Sequence, residues 1–163
     1  MEPLTEPQIR AAFVNCSKGE AKRLAVPKDL ATRPWPDLDF FGWRDPQASD
    51  RAYLAIPTGD GLRALALRCP PPSTTRPRRS MCAMCLTTHT GGVSLMVAAR
   101  AGKEGKLGNT VGTYLCADLS CSLYLRGLKD LPPGDRLSET LSVPEKAART
   151  TANLAAFLAK VTG

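Results

Sequence analysis

The 163-residue sequence predicts an α+β fold in which short helices and β-hairpins follow one another along a single chain. Three kinds of observation support this prediction. Capping patterns of the form Ser/Thr-x-x-Glu/Gln stand at Thr5, Ser17 and Ser142, each before a helical stretch. Apolar runs separated by glycine-containing turns predict two β-hairpins. Two closely spaced cysteine pairs flank the second hairpin, and such pairs are typical of bound metal ions.

Residues 1–69 are predicted to hold two short helices, an aromatic loop and the first hairpin. The first helix has Thr5 as its N-cap and Pro7 in its first turn, and the second runs from Ser17 to about Leu24. Proline-rich residues 27–50 are predicted as a loop. Its large side chains are expected to pack on the core, with a partly exposed docking surface as the alternative. They are Trp35, Leu38, Phe40, Phe41 and Trp43.

The first hairpin is predicted to pair residues 52–56 with residues 62–67 around a turn at Thr58–Gly61. Three prolines follow at residues 70–72, and then a basic tract without apolar periodicity reaches Ser80. An extended linker and a mobile basic loop both fit this tract.

The second hairpin is predicted to pair residues 93–99 with residues 110–116 across a glycine-rich basic connection. A helix is predicted over residues 118–128, and a final helix over residues 144–161. The core-facing side chains predicted for the final helix are Ala148, Leu154, Phe157, Leu158 and Val161. We interpret residues 1–163 as one domain with three parts, residues 1–69, 81–130 and 142–161.

The strongest chemical signal lies in the two cysteine pairs. Cys82 and Cys85 are separated by two residues, and Cys116 and Cys121 by four. The second pair spans the end of a predicted strand and the first turn of a predicted helix. A cysteine knuckle, a hairpin and a helix in this order are the layout of a treble-clef zinc finger. Four thiolates fill the tetrahedral coordination of Zn²⁺, so the site is predicted to be structural.

Other uses of the six cysteines are less well supported by the sequence. A disulfide framework or a redox pair is the alternative to zinc, but such frameworks belong to exported proteins. The first residues show no basic segment followed by an apolar one, and the longest apolar run, residues 93–99, is too short to cross a bilayer. We expect a soluble, cytoplasmic protein. Cys16 and Cys69 are predicted to be small buried apolar residues.

The positive charge is concentrated in the part that contains the cysteine pairs. Residues 61–136 carry eleven Lys/Arg against four Asp/Glu, whereas residues 1–60 carry eight against nine. Such a concentration attracts acidic proteins or nucleic acid, and solvated loops are the alternative. With His89, the candidate partner-binding residues are Arg76, Arg78, Arg79, Arg100, Lys103, Lys106, Arg126 and Lys129.

His89 is the only histidine of the chain and stands in a turn-rich stretch after the first cysteine pair. A hydrogen bond near the zinc site or within the turn is favoured, while a direct zinc bond and a contact with a partner are the alternatives. No nucleophile, carboxylate pair or phosphate-binding loop stands at a recognisable spacing. We therefore predict a protein that is not an enzyme and has no small-molecule substrate.

Four stretches of this sequence resemble the FBP family, bacterial proteins with a C-terminal treble-clef zinc finger. They are Phe13–Glu20, Phe41–Asp45, Cys82–Gly92 and Gly112–Gly127. The resemblance covers roughly residues 4–130, and the helix at residues 144–161 looks like an addition.

The FBP family is similar to the FusB-type proteins, which bind translation elongation factor G and give fusidic acid resistance. The resemblance implies that Cys82, Cys85, Cys116 and Cys121 bind zinc. It also implies a non-catalytic protein whose finger docks on elongation factor G and helps the factor to leave a stalled ribosome. Two alternative functions stay open: binding of ribosomal RNA through the basic loops, and redox sensing by a zinc–thiolate site.

Overall fold

The computed structural model describes residues 1–70, 77–135 and 138–163 of the chain. Arg76, one of the predicted partner-binding residues, lies outside these ranges, as do residues 71–75 of the proline run and the predicted linker. The helices are α1 (Glu6–Ala11), α2 (Lys18–Arg23), α3 (Gly102–Lys106), α4 (Cys121–Leu125) and α5 (Val143–Thr162). The strands are β1 (Phe41–Arg44), β2 (Arg51–Thr58), β3 (Gly61–Arg68), β4 (Arg79–Met81), β5 (Thr88–Thr90), β6 (Val93–Ala99) and β7 (Thr110–Cys116).

Five strands form one antiparallel sheet in the order β1-β2-β3-β6-β7, and β4 pairs with β5 in a separate small ribbon. The predicted hairpins are the pairs β2–β3 and β6–β7, so both are confirmed. The two hairpins meet at β3 and β6, where the ladder contains a single registered pair, Arg68 and Val97. Because this junction is so short, other contacts must hold the hairpins together.

Asn15 supplies such a contact between β3 and β6. Its Nδ2 atom donates to the carbonyl oxygens of Ala66 and Ala99, at 2.9 and 3.1 Å, and its Oδ1 atom accepts from the backbone N–H of Ala66 at 2.8 Å. A side-chain amide thus bridges two strands whose backbones barely pair. This role of Asn15 is not predictable from the neighbouring residues in the sequence.

The two faces of the sheet are covered by different elements. On one face the apolar side chains of the sheet pack against α5 and the cysteine cluster, and this core is centred on Leu54, Leu65, Met96, Leu115 and Leu154. On the other face α1, α2 and the aromatic loop cover the β1–β3 half. Trp35, Phe41, Trp43 and Tyr53 form a chain of rings there, with successive centroids 5.1 Å apart. The predicted packing of the loop aromatics on the core is confirmed.

Capping boxes open α1, α2 and α5 as predicted. Among the described residues, no helix has the length and apolar character needed to cross a membrane.

The side chains of α5 that were predicted to face the core are buried at Leu154, Phe157, Leu158 and Val161, but Ala148 is exposed. Thr150 is buried in this turn instead, and its hydroxyl donates to the Lys146 carbonyl at 2.9 Å, which satisfies the polar group within the helix.

Five elements differ from the sequence prediction. Strands β4 and β5 are two of them, because they pair with each other where a basic linker and a turn-rich stretch were expected. Residues 41–44 form the edge strand β1, because they pair with residues 52–55 of β2 although they follow a proline-rich loop. Residues 102–106 form the short helix α3 within the stretch that was predicted only as a glycine-rich basic connection. Helix α4 covers only residues 121–125 of the predicted 118–128.

Candidate metal centre

The four paired cysteines converge on one point of the fold. The sulfur atoms of Cys82, Cys85, Cys116 and Cys121 all lie within 4.8 Å of one another, and all four residues are buried. The sulfurs of Cys82 and Cys121 are 3.7 Å apart, and those of Cys85 and Cys116 are 3.6 Å apart. A tetrahedron with Zn–S bonds of about 2.3 Å has edges of about 3.8 Å. The donor atoms and their spacing therefore fit Zn²⁺.

These distances also distinguish a zinc site from disulfide bonds. A disulfide brings two sulfurs to about 2.05 Å, and all six cysteines of the chain are free. Four thiolates fill a tetrahedral site and leave no open position for water or substrate, which is the arrangement of structural zinc. Of the remaining two cysteines, Cys69 is buried as predicted, whereas Cys16 is only half-buried.

The first cysteine pair lies on a knuckle between β4 and β5. The backbone N–H of Cys82 donates to the Thr87 carbonyl at 2.9 Å, and that of Leu86 donates to the Cys82 carbonyl at 3.0 Å. The N–H of Met84 points at the Cys82 sulfur from 3.4 Å, a contact that stabilises a thiolate. Leu86 has a φ of 57°, the left-handed conformation that turns the chain back into β5.

The second cysteine pair joins a strand to a helix. Cys116 is the last residue of β7 and Cys121 the first residue of α4, as the sequence predicts. Between them Leu119 adopts a φ of 60°, and its N–H donates to the Cys116 carbonyl at 2.9 Å. The N–H of Ala83 donates to the Tyr114 carbonyl at 2.8 Å and so fixes the knuckle against β7.

The electrostatics of the cluster call for a cation. Hydrogen bonds from the thiols of Cys116 and Cys121 lower the pKa of Cys82. Hydrogen bonds with the side chain of Cys116 and, to a smaller extent, with that of Cys82 raise the pKa of Cys121, which is fully buried. Without a metal the cluster must share protons, because four thiolates in a dry volume repel one another. A divalent cation removes this conflict by taking the place of the protons.

His89 lies beside the sulfur cluster rather than on the surface. Its Nε2 atom is 3.3 Å from the Cys116 sulfur, and its ring meets Tyr124 edge to face with centroids 4.6 Å apart. A thiolate can only accept a hydrogen bond, so a zinc-bound Cys116 selects the tautomer with hydrogen on Nε2. Burial lowers the pKa of His89, which favours the neutral ring. This arrangement corresponds to the hydrogen bond favoured in the sequence analysis.

Helix α5 covers the knuckle and supplies contacts that the sequence analysis missed. The Asn153 side chain donates from Nδ2 to the Met84 carbonyl at 2.9 Å, and Arg149 approaches the Cys85 carbonyl at 3.4 Å. The only sign of these contacts in the sequence is that Arg149 and Asn153 lie close to the apolar face of α5. These contacts satisfy knuckle carbonyls that the short hairpin leaves without partners.

The structure places the predicted partner-binding residues in two groups. Three of them are engaged with carboxylates: Arg126 with Asp39, Lys129 with Asp118 and, at 3.9 Å, Arg79 with Asp135.

The other candidate cations that the structure describes, Arg78, Arg100, Lys103 and Lys106, make no ion pair with any described residue. Arg78, Lys103 and Lys106 are exposed, and Arg100 is half-buried. Lys103 and Lys106 lie on α3 at the far end of the β6–β7 hairpin from the cysteines. The described members of the predicted basic set therefore do not form one continuous patch.

Comparison with known proteins agrees with this geometry. A family model described as FBP C-terminal treble-clef zinc-finger matches residues 8–161. The match includes all four cysteines and nearly all of α5, so the expectation that this helix is an addition is wrong. The comparison with curated proteins gives no match, and neither does the comparison with solved structures.

Proposed function

This chain belongs to the FBP C-terminal treble-clef zinc-finger family, and from that premise we propose that it is a non-catalytic cytoplasmic protein that docks on translation elongation factor G at the ribosome. The resemblance to FusB-type proteins supports this choice of partner. In this proposal zinc has no chemical role at the interface. The metal holds the knuckle, β7 and α4 in the arrangement that the partner meets, as structural zinc does.

The observation that carries the proposal is a groove of about 760 Å³ beside the knuckle. Met81 and Leu86 line it and remain 49% and 36% exposed. Thr88 also lines it, and its buried hydroxyl has no hydrogen-bond partner among the described residues. Exposed apolar side chains around an unsatisfied polar group are typical of a surface that a second protein completes.

The charge of the surrounding residues, rather than that of the groove lining, favours an acidic partner. Arg126 and Lys146 line the groove, but Arg126 is paired with Asp39 and Lys146 with Glu139, so the groove itself carries little unpaired charge. The zinc-bearing residues 61–136 carry an excess of seven positive charges. Such a field speeds the encounter with a negatively charged protein surface, while the apolar groove supplies the affinity after contact.

The proposal is tested by titrating purified elongation factor G with the zinc-loaded protein at low salt, using isothermal calorimetry. Met81→Asp places a charge in the groove and is expected to weaken binding at least about tenfold. Leu107→Asp is the matched control, because Leu107 is 67% exposed and follows α3, outside the groove. An absence of binding at low salt, or equal losses in both variants, would contradict the proposal.

Ribosomal RNA is the second candidate partner, and Tyr114 favours it. This ring is 55% exposed on β7, and an exposed ring can stack on a base. Binding through phosphates loses affinity steeply as salt rises, and it needs no elongation factor. A salt series with purified ribosomes, with and without the factor, separates the two partners. Retention that depends on the factor supports docking on it, whereas retention without the factor supports RNA.

A further inference from the structure

A cleft of about 660 Å³ opens on the face of the sheet opposite the zinc finger. Helix α2 forms one wall, and the floor consists of β2 and β3 together with the uncovered ends of β6 and β7. The N-terminal elements cover only the β1–β3 half of this face. The cleft therefore lies at the edge of that cover, where the sheet becomes accessible. Its volume lies within the range of small-molecule sites, about 300–1,000 Å³.

Three arginines line this cleft without forming an ion pair to any described residue. Arg51 and Arg68 are direct partners across the β2–β3 ladder and point to the same face of the sheet. Like charges in this position destabilise a sheet. Arg23 faces them from α2. Within the described ranges, none of the three guanidinium groups lies within ion-pair distance of a carboxylate, although Arg51 interacts with the Tyr53 hydroxyl.

The two acidic residues of the cleft are already engaged elsewhere. Glu20 accepts hydrogen bonds from the backbone N–H and the hydroxyl of Ser17, both at 2.7 Å, as part of the α2 capping box. Asp45 accepts from the Tyr53 hydroxyl at 2.7 Å and from the Gln47 N–H at 2.8 Å. Hydrogen bonds from Ser17, with a smaller effect from the charges of Arg23 and Arg51, lower the pKa of Glu20. The cleft keeps an excess of positive charge, because three arginines share it with two carboxylates.

We propose that this cleft binds a small organic phosphate of about mononucleotide size. Its dianionic phosphate lies between Arg51 and Arg68, whose planar guanidinium groups match phosphate oxygens in pairs. The uncharged part lies on the apolar floor that Ala66, Val97 and Ala99 provide. The bound phosphate then supplies the negative charge that the Arg51–Arg68 pair lacks. This inference is independent of the docking proposal, since it concerns the opposite face of the sheet.

The test compares three probes on the zinc-loaded protein: AMP, inorganic pyrophosphate and adenosine. Thermal unfolding and calorimetry are expected to show stabilisation and binding with AMP, a weaker effect with pyrophosphate and none with adenosine. Arg68→Gln is expected to weaken AMP binding at least about tenfold, yet to raise the melting temperature of the ligand-free protein because it removes the like-charge pair. Arg63→Gln is the matched control, since Arg63 lies on the same strand but on its other face.

Three results would overturn the inference. The first is that neither AMP nor pyrophosphate stabilises the wild-type protein. The second is that Arg68→Gln and Arg63→Gln change AMP affinity equally, or that Arg68→Gln lowers the ligand-free melting temperature. The third is that a single-stranded oligonucleotide binds through Arg51 and Arg68 while AMP does not, which would assign the cleft to a nucleic-acid strand.

Discussion

Asp39 and Arg126 form a two-armed ion pair that joins the segment before β1 to the end of α4. The two terminal nitrogens of the guanidinium donate to the two carboxylate oxygens at 2.6 and 2.8 Å. The Arg126 side chain is only 18% exposed and the Asp39 side chain 12%. The hydrogen bonds to Asp39 raise the pKa of Arg126. A residue of the zinc-bearing part, predicted to contact a partner, thus holds the two parts of the molecule together.

Replacing Arg126 with alanine should lower the free energy of unfolding by about 2–3 kcal/mol, because it leaves the shielded Asp39 carboxylate unpaired. Lys129→Ala is the control, since its pair with Asp118 is exposed and should contribute less than about 1 kcal/mol. Urea denaturation of the zinc-loaded proteins measures both. Equal losses in the two variants would contradict this interpretation of the ion pair.

Replacing Cys121 with serine should abolish stoichiometric zinc binding and unfold the finger, since metal binding and folding are one equilibrium in such modules. Metal analysis and the melting curve of the variant measure this. Cys16→Ser is the control, because Cys16 is half-buried and outside the sulfur cluster. The prediction is wrong if Cys121→Ser retains both its zinc and its melting temperature.

Replacing Gly42 with alanine should destabilise the protein by about 1–3 kcal/mol through overpacking. A Cβ atom at Gly42 would lie 2.6 Å from the Cβ of Leu119, in the loop between the second pair of cysteines. Gly59 is a matched control, because a Cβ atom there meets no atom within 4 Å. Chemical denaturation of the two variants should separate them clearly, and a stable Gly42→Ala protein would refute the close contact.

Replacing Asn15 with alanine should cost about 2–3 kcal/mol, because the N–H of Ala66 loses its acceptor and two carbonyls lose a donor at the β3–β6 junction. Asn109→Ala is the control, since that amide makes only an exposed contact with Glu104. Amide hydrogen exchange offers a local readout. Protection at Ala66 should fall in the Asn15 variant, and unchanged protection there would exclude the proposed bridge.

The Cys16 thiol should react slowly at neutral pH. Burial, with a smaller effect from the Glu20 carboxylate, raises the pKa of Cys16 from 9.0 to about 11. Only the thiolate is alkylated, so the rate should rise with pH up to about 11. At pH 8 it should be roughly a hundredfold below that of an unshifted thiol. Iodoacetamide labelling followed by mass spectrometry measures the rate, with a cysteine-containing peptide as reference. A rate equal to that of the peptide would contradict the shift.

The elements that the sequence predicts well are those specified by neighbouring residues. The capping boxes at Thr5, Ser17 and Ser142 mark real helix starts, because a cap is completed within four residues. Strand β1 is different, since only pairing with β2 makes residues 41–44 a strand. Helix α3 contains two glycines, which oppose a helix prediction. Glycine is required at position 105 for steric reasons, because a Cβ atom there would collide with the Arg100 carbonyl oxygen.

The zinc ligands were predictable because the two cysteines of each pair are separated by only a few residues, and the predicted hairpin between the pairs is enough to bring them together. The residues that surround the zinc site were not predictable. Asn153 and Arg149 contact the knuckle from α5, and their role depends on how that helix lies on the sheet. The cleft arginines were missed for the same reason. Arg51 and Arg68 stand 17 residues apart and become neighbours only through the β2–β3 register.

The cover that α5 provides has a consequence for synthesis of the chain. Asn153 emerges from the ribosome 69 residues after Met84, whose carbonyl it binds. At translation rates of about 5–20 residues per second, that interval lasts roughly 3–14 s. During this interval α5 does not yet cover the thiols of the knuckle, so they are accessible to oxidants. Early binding of the metal would then protect these thiols from oxidation.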